Sequence, residues 1–493
     1  MSYNKRILVI ATVLAVMAMH AVGQTLSVNQ ASNTTNGLPV LRVNFNGSFS
    51  RNMDYVNGTM QLTATDGSVI AMAAKVKTRG ATASHYMMKP SFNLKLRTPD
   101  YVNELDTPLL GMRSCSSWIL DAMAIDRICM RNRVVFDIWN DFSRLPYETE
   151  FDGRNGTEGR FVEVYINDTY YGIYCLNDRI NRKLLDLKKV KDENGQIEVR
   201  GVLYKSGTQD IADQNNPCYN ADSSACVIAW HDAWELSYPE DYGSAAAWAP
   251  LQDAILNGNT TAYVKKYFYL DNLVDYHLLV MAMSIADNWG NKNHYLSIRN
   301  INKDINATLQ DDADRRRFVL TPWDLDTSLG GRYDGGFYDG NYSDWPVASM
   351  NNNAFYPLSA VLGDSEYKAK LKQRWIELRH GALSTDSVNA KLERYRDLFI
   401  NTGAWERMVT HYEAQSSKPK YVIDLAREIS LIEGWYAARF NAVDEYFGVH
   451  DGIENLPEEN DTLYYDLLGR PIGTENPLPG TYIRGGKVVL IVR

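Results

Sequence analysis

Leu278-Leu279-Val280-Met281-Ala282-Met283-Ser284-Ile285-Ala286 runs directly into Asp287-Asn288-Trp289-Gly290-Asn291-Lys292-Asn293. The first stretch is almost wholly apolar and reads as the end of a buried helix. The second sets a carboxylate, three amides and an ammonium within seven positions. Next, His294 to Arg299 (HYLSIR) alternates like a strand, and Arg316 to Thr321 (RRFVLT) reads as its return partner across a polar, acidic loop. Paired antiparallel, the two place Asn293 at the start of one strand beside Pro322 at the end of the other. Pro322-Trp323-Asp324-Leu325-Asp326 follows, so the hairpin gathers Asp287, Asn293, Asp324 and Asp326 at one end. Carboxylate and amide oxygens converging there suit a hard cation, with one carboxylate left over as a base. The same residue types also cap helices and bound loops, so the pattern alone fits either chemistry or turn formation.

The 493 residues, 45% of them hydrophobic, are enough for a large core and two lobes with appendages. A net charge of −9 without a basic run argues against nucleic acid or anionic lipid as the main partner. At the N-terminus, Asn4-Lys5-Arg6, the apolar run from Ile7 to Met19 and Ala21-Val22-Gly23 predict a signal peptide over residues 1–23. No membrane span is expected beyond it: the apolar stretch from Tyr269 to Ala286 carries Asp271, Asp275 and His277 and reads as core. The five cysteines show no Cys-x-x-Cys spacing, which argues against zinc. Cys218 and Cys226 flank a short polar loop and suit a disulfide in an oxidising compartment. Cys115, Cys129 and Cys175 read as buried thiols.

Residues 25–100 are strand-rich, with turns expected at Asn46-Gly47, Asn57-Gly58 and Asp66-Gly67. Ala73 to Gly80 runs into a small-residue loop and returns as Lys89 to Leu96, where Phe92, Leu94 and Leu96 share one face. Lys95 lies on the other face, and Arg79 ends the first strand. Two such cations suit phosphates, Arg by bidentate bonding and Lys as a point charge, or are simply solvated. Residues 106–146 are expected to be helical. FVEVYIN and YYGIYCL form a hairpin about Asn167-Asp168, with Asp178 just past it. Gly201 to Gly207 is a short strand with an interior Lys205, residues 208–250 an irregular surface excursion, and Tyr356 to Phe447 helical. An acidic linker (451–461) leads to a small β module ending the chain.

Several segments together resemble the CotH kinase family of spore-coat-protein-H-like proteins. They are Lys77-Thr78-Arg79-Gly80, Lys89 to Leu96, Arg131-Asn132, Val164 to Asn167, Tyr171 to Tyr174, Leu203-Tyr204-Lys205, Asp287 to Asn293, and Pro322 to Asp326. In order they cover roughly residues 38 to 447. The end of the chain, Tyr464-Tyr465-Asp466-Leu467 to Leu490, resembles the short C-terminal module of surface and secreted proteins that use the Por, or type IX, route.

The resemblance implies an α+β, atypical bilobal protein-kinase-like fold. Its β-rich N-terminal lobe would span about 24–207 and its helical C-terminal lobe about 208–450, with a sorting-like module over 451–493. It implies a secreted or cell-surface protein of a Gram-negative-type envelope, transferring the γ-phosphoryl group of ATP to Ser or Thr of a protein substrate with Mg²⁺ or Mn²⁺. Such transfer needs positioned phosphates, a divalent metal and a carboxylate near the acceptor hydroxyl. By analogy Asp287 is the base, Asn293 (or Asn291), Asp324 and Asp326 hold the metal, and Arg79, Lys95 and Lys205 hold the nucleotide. The chain departs from the family in the loop after Arg79 (Ala81-Thr82-Ala83-Ser84). It also has Asp178 where the family has Glu, which puts an ion pair with a lysine in doubt. The rival reading is an adhesin or binding protein on a kinase-like scaffold. Glycan hydrolysis by the Asp residues is a weaker third.

Overall fold

The computed structural model describes residues 37–51, 53–80, 88–147, 153–206, 234–242, 244–285, 288, 292–303, 316–332, 334–337, 356–415, 424–449, 464, 480–484 and 487–491. These fall into two compact units, one up to Val443 and one from Asp444 onward. The chain is of mixed α/β type, with a β-rich N-terminal region and helices dominating the C-terminal half.

The N-terminal region is a closed barrel. Its strands are β1 (Val40–Phe45), β2 (Val56–Thr63), β3 (Val69–Arg79), β4 (Ser91–Arg97), β7 (Ser117–Asp121), β8 (Gly159–Ile166) and β9 (Thr169–Asp178). Two further short strands, β5 (Thr107–Pro108) and β6 (Ser114–Cys115), pair with each other between β4 and β7. The spatial order is β1-β2-β3-β4-β7-β9-β8, and β1 closes the barrel by running parallel to β8. Closure follows from alternation: Leu41, Val43, Met60, Leu62, Ala74, Val76, Phe92, Leu94, Leu96, Trp118 and Leu120 point into one core, and the residues between them point out. On β3 and β4 the outward set is Lys75, Lys77, Arg79, Asn93 and Lys95.

Three expectations change here. Ser117 to Leu120 is a barrel strand and not helix; a short apolar run does not reveal its own period, and helix begins only at Arg131. Asn57-Gly58 is not a turn but lies inside β2, and a Cβ on Gly58 would come within 2.5 Å of the Asn44 carbonyl oxygen. That glycine serves a close backbone approach. Third, the 208–250 segment is not wholly irregular: it holds β13 (Trp234–Tyr238) and the start of the helix α2 (Ala245–Asn257). The Asn167-Asp168 turn is as expected, both residues taking positive φ as a two-residue hairpin requires.

A small hairpin of β10 (Lys191–Glu193) and β11 (Gln196–Glu198) precedes a four-stranded sheet. That sheet has the order β13-β12-β14-β15, with β12 (Val202–Ser206), β14 (His294–Ile298) and β15 (Phe318–Pro322). The helices are α1 (Arg131–Phe142), α2, α3 (Thr261–Tyr267), α4 (Leu270–Met283), α5 (Tyr356–Val361), α6 (Ser365–Arg379), α7 (Thr385–Asn401), α8 (Ala404–Glu413) and α9 (Leu425–Phe447). Helix α4 backs the sheet. Its Asn272 amide clips the edge strand β15, accepting from Leu320 N at 2.7 Å and donating to Leu320 O at 3.0 Å. The helix stops at Ser284, whose φ of +50° turns the chain towards the Asp287 segment. Among the described residues no helix is long and apolar enough to cross a membrane.

Cys115, Cys129 and Cys175 are buried free thiols, while Cys218 and Cys226 lie outside the described residues. In the second unit β16 (Gly480–Arg484) and β17 (Lys487–Ile491) form a hairpin.

Candidate active site

The site begins at the open end of β14 and β15. Their antiparallel register sets His294 opposite Pro322, and Trp323 N–H donates to Asn293 O at 2.9 Å. The hairpin expected from the sequence is therefore present, with Asn293 level with Trp323. Asn288, 1% exposed, ties this end together: its side-chain nitrogen donates to Asn293 O at 2.8 Å and to Trp323 O at 2.9 Å. Nothing in the sequence around Asn288 marks it for this role. A buried amide that satisfies two strand-end carbonyls is a positioning device, and it holds the segment directly after Asp287. Asp287 and Asn291 themselves lie outside the described residues.

Past Trp323 the backbone kinks. Asp324 takes φ +57°, a conformation Asp tolerates better than most residues. Leu325 between the carboxylates is fully buried, which leaves Asp324 exposed and Asp326 half-buried. Leu325 N–H donates to Asn132 Oδ1 at 3.1 Å, and Asn132 Nδ2 donates to Asp121 Oδ2 at 2.9 Å. Asp121 ends barrel strand β7, so one amide joins the barrel to the carboxylate loop. Asn132 lies in the first turn of α1, where Asp126 satisfies N-terminal backbone groups, accepting from Met130 N and Arg131 N at 2.8 and 2.7 Å and from Arg131 Nη1 at 2.5 Å.

Of the expected phosphate-holding cations, Arg79 is the one brought to this loop. Its guanidinium lies over the Trp323 ring, 5.3 Å from the centroid. Phe136 and Tyr295 pack on the same indole at 6.3 and 5.9 Å. Lys205 stands opposite Tyr295 in the β12–β14 register and is ion-paired with Glu235 at 3.6 Å.

Lys95 shares the outer barrel face with Arg79 but not its position. Arg79 is opposite Ser91 and Lys95 opposite Lys75, four residues or about 13 Å along the strand. Its ammonium sits on Tyr55, 4.7 Å from the ring centroid. Burial, and after it the charge of Arg179, holds the Lys95 pKa below the ordinary lysine value. Neither Arg79 nor Lys95 has a carboxylate partner among the described residues.

Asp178 does not meet a lysine. It is fully buried and takes Arg113 Nε at 2.7 Å, while its other oxygen accepts Glu158 N–H at 2.8 Å.

The chain matches the CotH kinase protein family over residues 76–439, nearly three quarters of its length. It belongs to that family. Comparison with curated proteins gives no match. The CotH match spans the barrel from the end of β3, the four-stranded sheet and most of the helical half, so every candidate residue from Arg79 to Asp326 falls within it.

A CotH kinase implies a nucleotide and a divalent cation. Among the described residues no three His, Cys, Asp or Glu side chains form a metal-holding group. What the loop does offer is Asp324, Asp326 and the Asn293 amide, and Asn288 Oδ1 is buried there with no hydrogen-bond partner among the described residues. Oxygen donors with few carboxylates fit Mg²⁺, which keeps waters and takes phosphate oxygens to complete its shell.

Proposed function

We propose that this chain is an exported CotH-type kinase that transfers the ATP γ-phosphoryl group to Ser or Thr of a protein. In this reading the barrel and the four-stranded sheet act as the two lobes of an atypical kinase-like fold. The observation that carries it is the contact of Arg79 with Trp323. It brings a cation with no carboxylate partner among the described residues, at the end of a barrel strand, to the residue preceding Asp324-Leu325-Asp326. Phosphoryl transfer asks for little covalent help and much positioning, which is what the Asn132 and Asn288 amides supply.

Each residue then has a defined task. Asp324, Asp326 and Asn293 would hold the divalent ion, which when bound neutralises charge on the phosphates. Arg79 binds terminal phosphate oxygens bidentately, and Lys95 and Lys205 provide further positive charge. Asp287, directly beyond the helix that ends at Ser284, accepts the proton of the acceptor hydroxyl. Export rests on the apolar N-terminal segment and on the C-terminal stretch from Tyr464, which would engage a secretion machinery.

The test is incubation of residues 24–493 with labelled ATP, Mg²⁺ or Mn²⁺ and a generic protein acceptor. Label on Ser or Thr, lowered roughly 10²-fold or more in Asp287→Asn with nucleotide binding retained, is the expected result. Metal-dependent ATP binding without any transfer by the wild type would point instead to a binding protein on this scaffold.

A further inference from the structure

Helix α4 ends in a node where three parts of the chain meet. The last carbonyls of a helix have no partner within it and must be satisfied from elsewhere. Here Val280 O accepts the N–H groups of Ser284 and Ile285, the latter at 3.2 Å, and Met283 O accepts Leu329 N–H at 3.0 Å. Met281 O is taken by a side chain from far along the chain. Arg439 of α9 donates to it through Nε at 3.0 Å and through Nη2 at 2.7 Å. Both segments tied to this node lead to candidate site residues. Asp287 follows Ser284 by three residues, and Leu329 lies three residues past Asp326.

Arg439 is fully buried, and burial pulls its pKa down to about 10. Removing a charge from water is costly, and an apolar side chain would fill the same space without that cost. What a cation adds is a charge-assisted bond at the negative end of a helix. Helix α4 has no basic residue in its own last turn, so α9 supplies the charge. The two segments are held firmly at this point. Leu329 is fully buried with φ +50°, a conformation that leucine keeps only where its surroundings impose it. On the other side Asn288 N–H donates to Ile285 O at 3.2 Å, and Tyr276 of α4 donates its hydroxyl to Asn288 O at 3.2 Å.

From this arrangement we infer that Arg439 is a positioning residue for phosphoryl transfer: by fixing the end of α4 it sets where the Asp287 segment starts and where the carboxylate loop returns. It acts through Met281 O. The inference rests on the kinase reading above and extends it to the last helix, which that reading leaves without a task.

Steady-state transfer to a protein acceptor, together with amide hydrogen exchange on the full chain, tests this. Arg439→Met keeps the bulk and loses the donors, while Arg439→Lys keeps the charge and one donor. Arg374→Met is the control, because it breaks the 2.8 Å pair with Asp275 in the middle of the same helix, away from its end. Arg439→Met should lower kcat roughly 10- to 100-fold, with the KM for ATP changed less, and Arg439→Lys should lie in between. Arg374→Met should melt earlier yet keep kcat near that of the wild type. Exchange in Arg439→Met should quicken at Ser284, Ile285 and Leu329 and stay slow at Leu273 to Tyr276; if that variant does not fold, Arg439→Lys should show the same pattern more weakly. Equal kcat in the Arg439 and Arg374 variants, or unchanged exchange at the end of α4, overturns the inference and leaves the kinase reading standing. Absence of transfer by the wild type overturns the kinase reading and with it the part of Arg439 in transfer.

Discussion

Asn132 Oδ1 accepts the backbone N–H of Leu325, 193 residues further along the chain, and the same amide donates to Asp121. A single side chain is therefore hydrogen-bonded to both the barrel and the carboxylate loop. One hydrogen bond from Asn132 holds the Leu325 backbone, and Leu325 is fully buried between an exposed Asp324 and a half-buried Asp326.

Replacing Asn132 by Ala should uncouple the two. The loss of a partner for Leu325 N–H costs about 1–3 kcal/mol. We expect a drop of a few degrees in melting temperature and at least a tenfold loss of Mg·ATP affinity. Calorimetric melting and titration on one sample check both. An unchanged Mg·ATP affinity would show that the loop keeps its shape without the amide.

The metal assignment is tested by Asp324→Asn and Asp326→Asn. Asparagine is preferred to alanine at position 324 because the +57° φ is one that Asn accepts with little strain. Each variant should melt like the wild type and lose metal-dependent nucleotide binding, with chelator treatment of the wild type giving the same end point. Equal Mg·ATP titrations in wild type and both variants would remove these residues from the metal site.

Much of this site is legible in the sequence because its ends are marked locally. The apolar run to Met283, the alternation in HYLSIR and the bounding Pro322-Trp323-Asp324 fix a hairpin and its open end. The face carried by Lys75, Arg79 and Lys95 follows from strict alternation on β3 and β4. What is not legible depends on pairs distant in sequence. Nothing near Asn132 signals Leu325, and nothing near Arg113 signals Asp178, because a single amide or guanidinium leaves no periodic trace. Ser117 to Leu120 misleads for a related reason: with Trp118, Ile119 and Leu120 buried in succession, it lacks the alternation by which a strand announces itself. Trp234 to Tyr238 is found only through its partner, β12.

His277, on α4 behind the site, gives a pH prediction. It is fully buried against Tyr367, with Nδ1 3.1 Å from the phenol oxygen, and burial depresses its pKa from 6.5 to about 4. A depressed histidine is neutral in the folded chain and binds a proton more readily when unfolded. Stability from this group is present above pH 6.5 and falls as pH drops from there through about 4, by roughly 3 kcal/mol in total. His277→Gln keeps a polar partner for Tyr367 but does not titrate. Its melting temperature should fall less between pH 6.5 and 4 than that of the wild type. Parallel pH profiles for the two proteins would assign acid sensitivity elsewhere.

Trp323 carries two functions that one substitution can separate. Its backbone N–H and C=O bind Asn293 and Asn288 and survive any side-chain change, whereas its indole is the platform for Arg79 and packs on Phe136 and Tyr295. Trp323→Phe retains an aromatic face and most of the packing; Trp323→Leu removes the face altogether. An Arg resting on an indole gains about 0.5–2 kcal/mol, according to how far it is desolvated. Without that support the guanidinium must be ordered by the ligand, and the entropy lost in doing so weakens nucleotide binding. We therefore expect Trp323→Leu to lower ATP affinity by roughly 3- to 30-fold, with Trp323→Phe in between. The decisive measurement is a double-mutant cycle with Arg79→Ala. If the indole acts through Arg79, Trp323→Leu should cost little further affinity once Arg79 is gone. Additive losses would mean that the ring acts on the ligand directly and that the Arg79 contact is incidental.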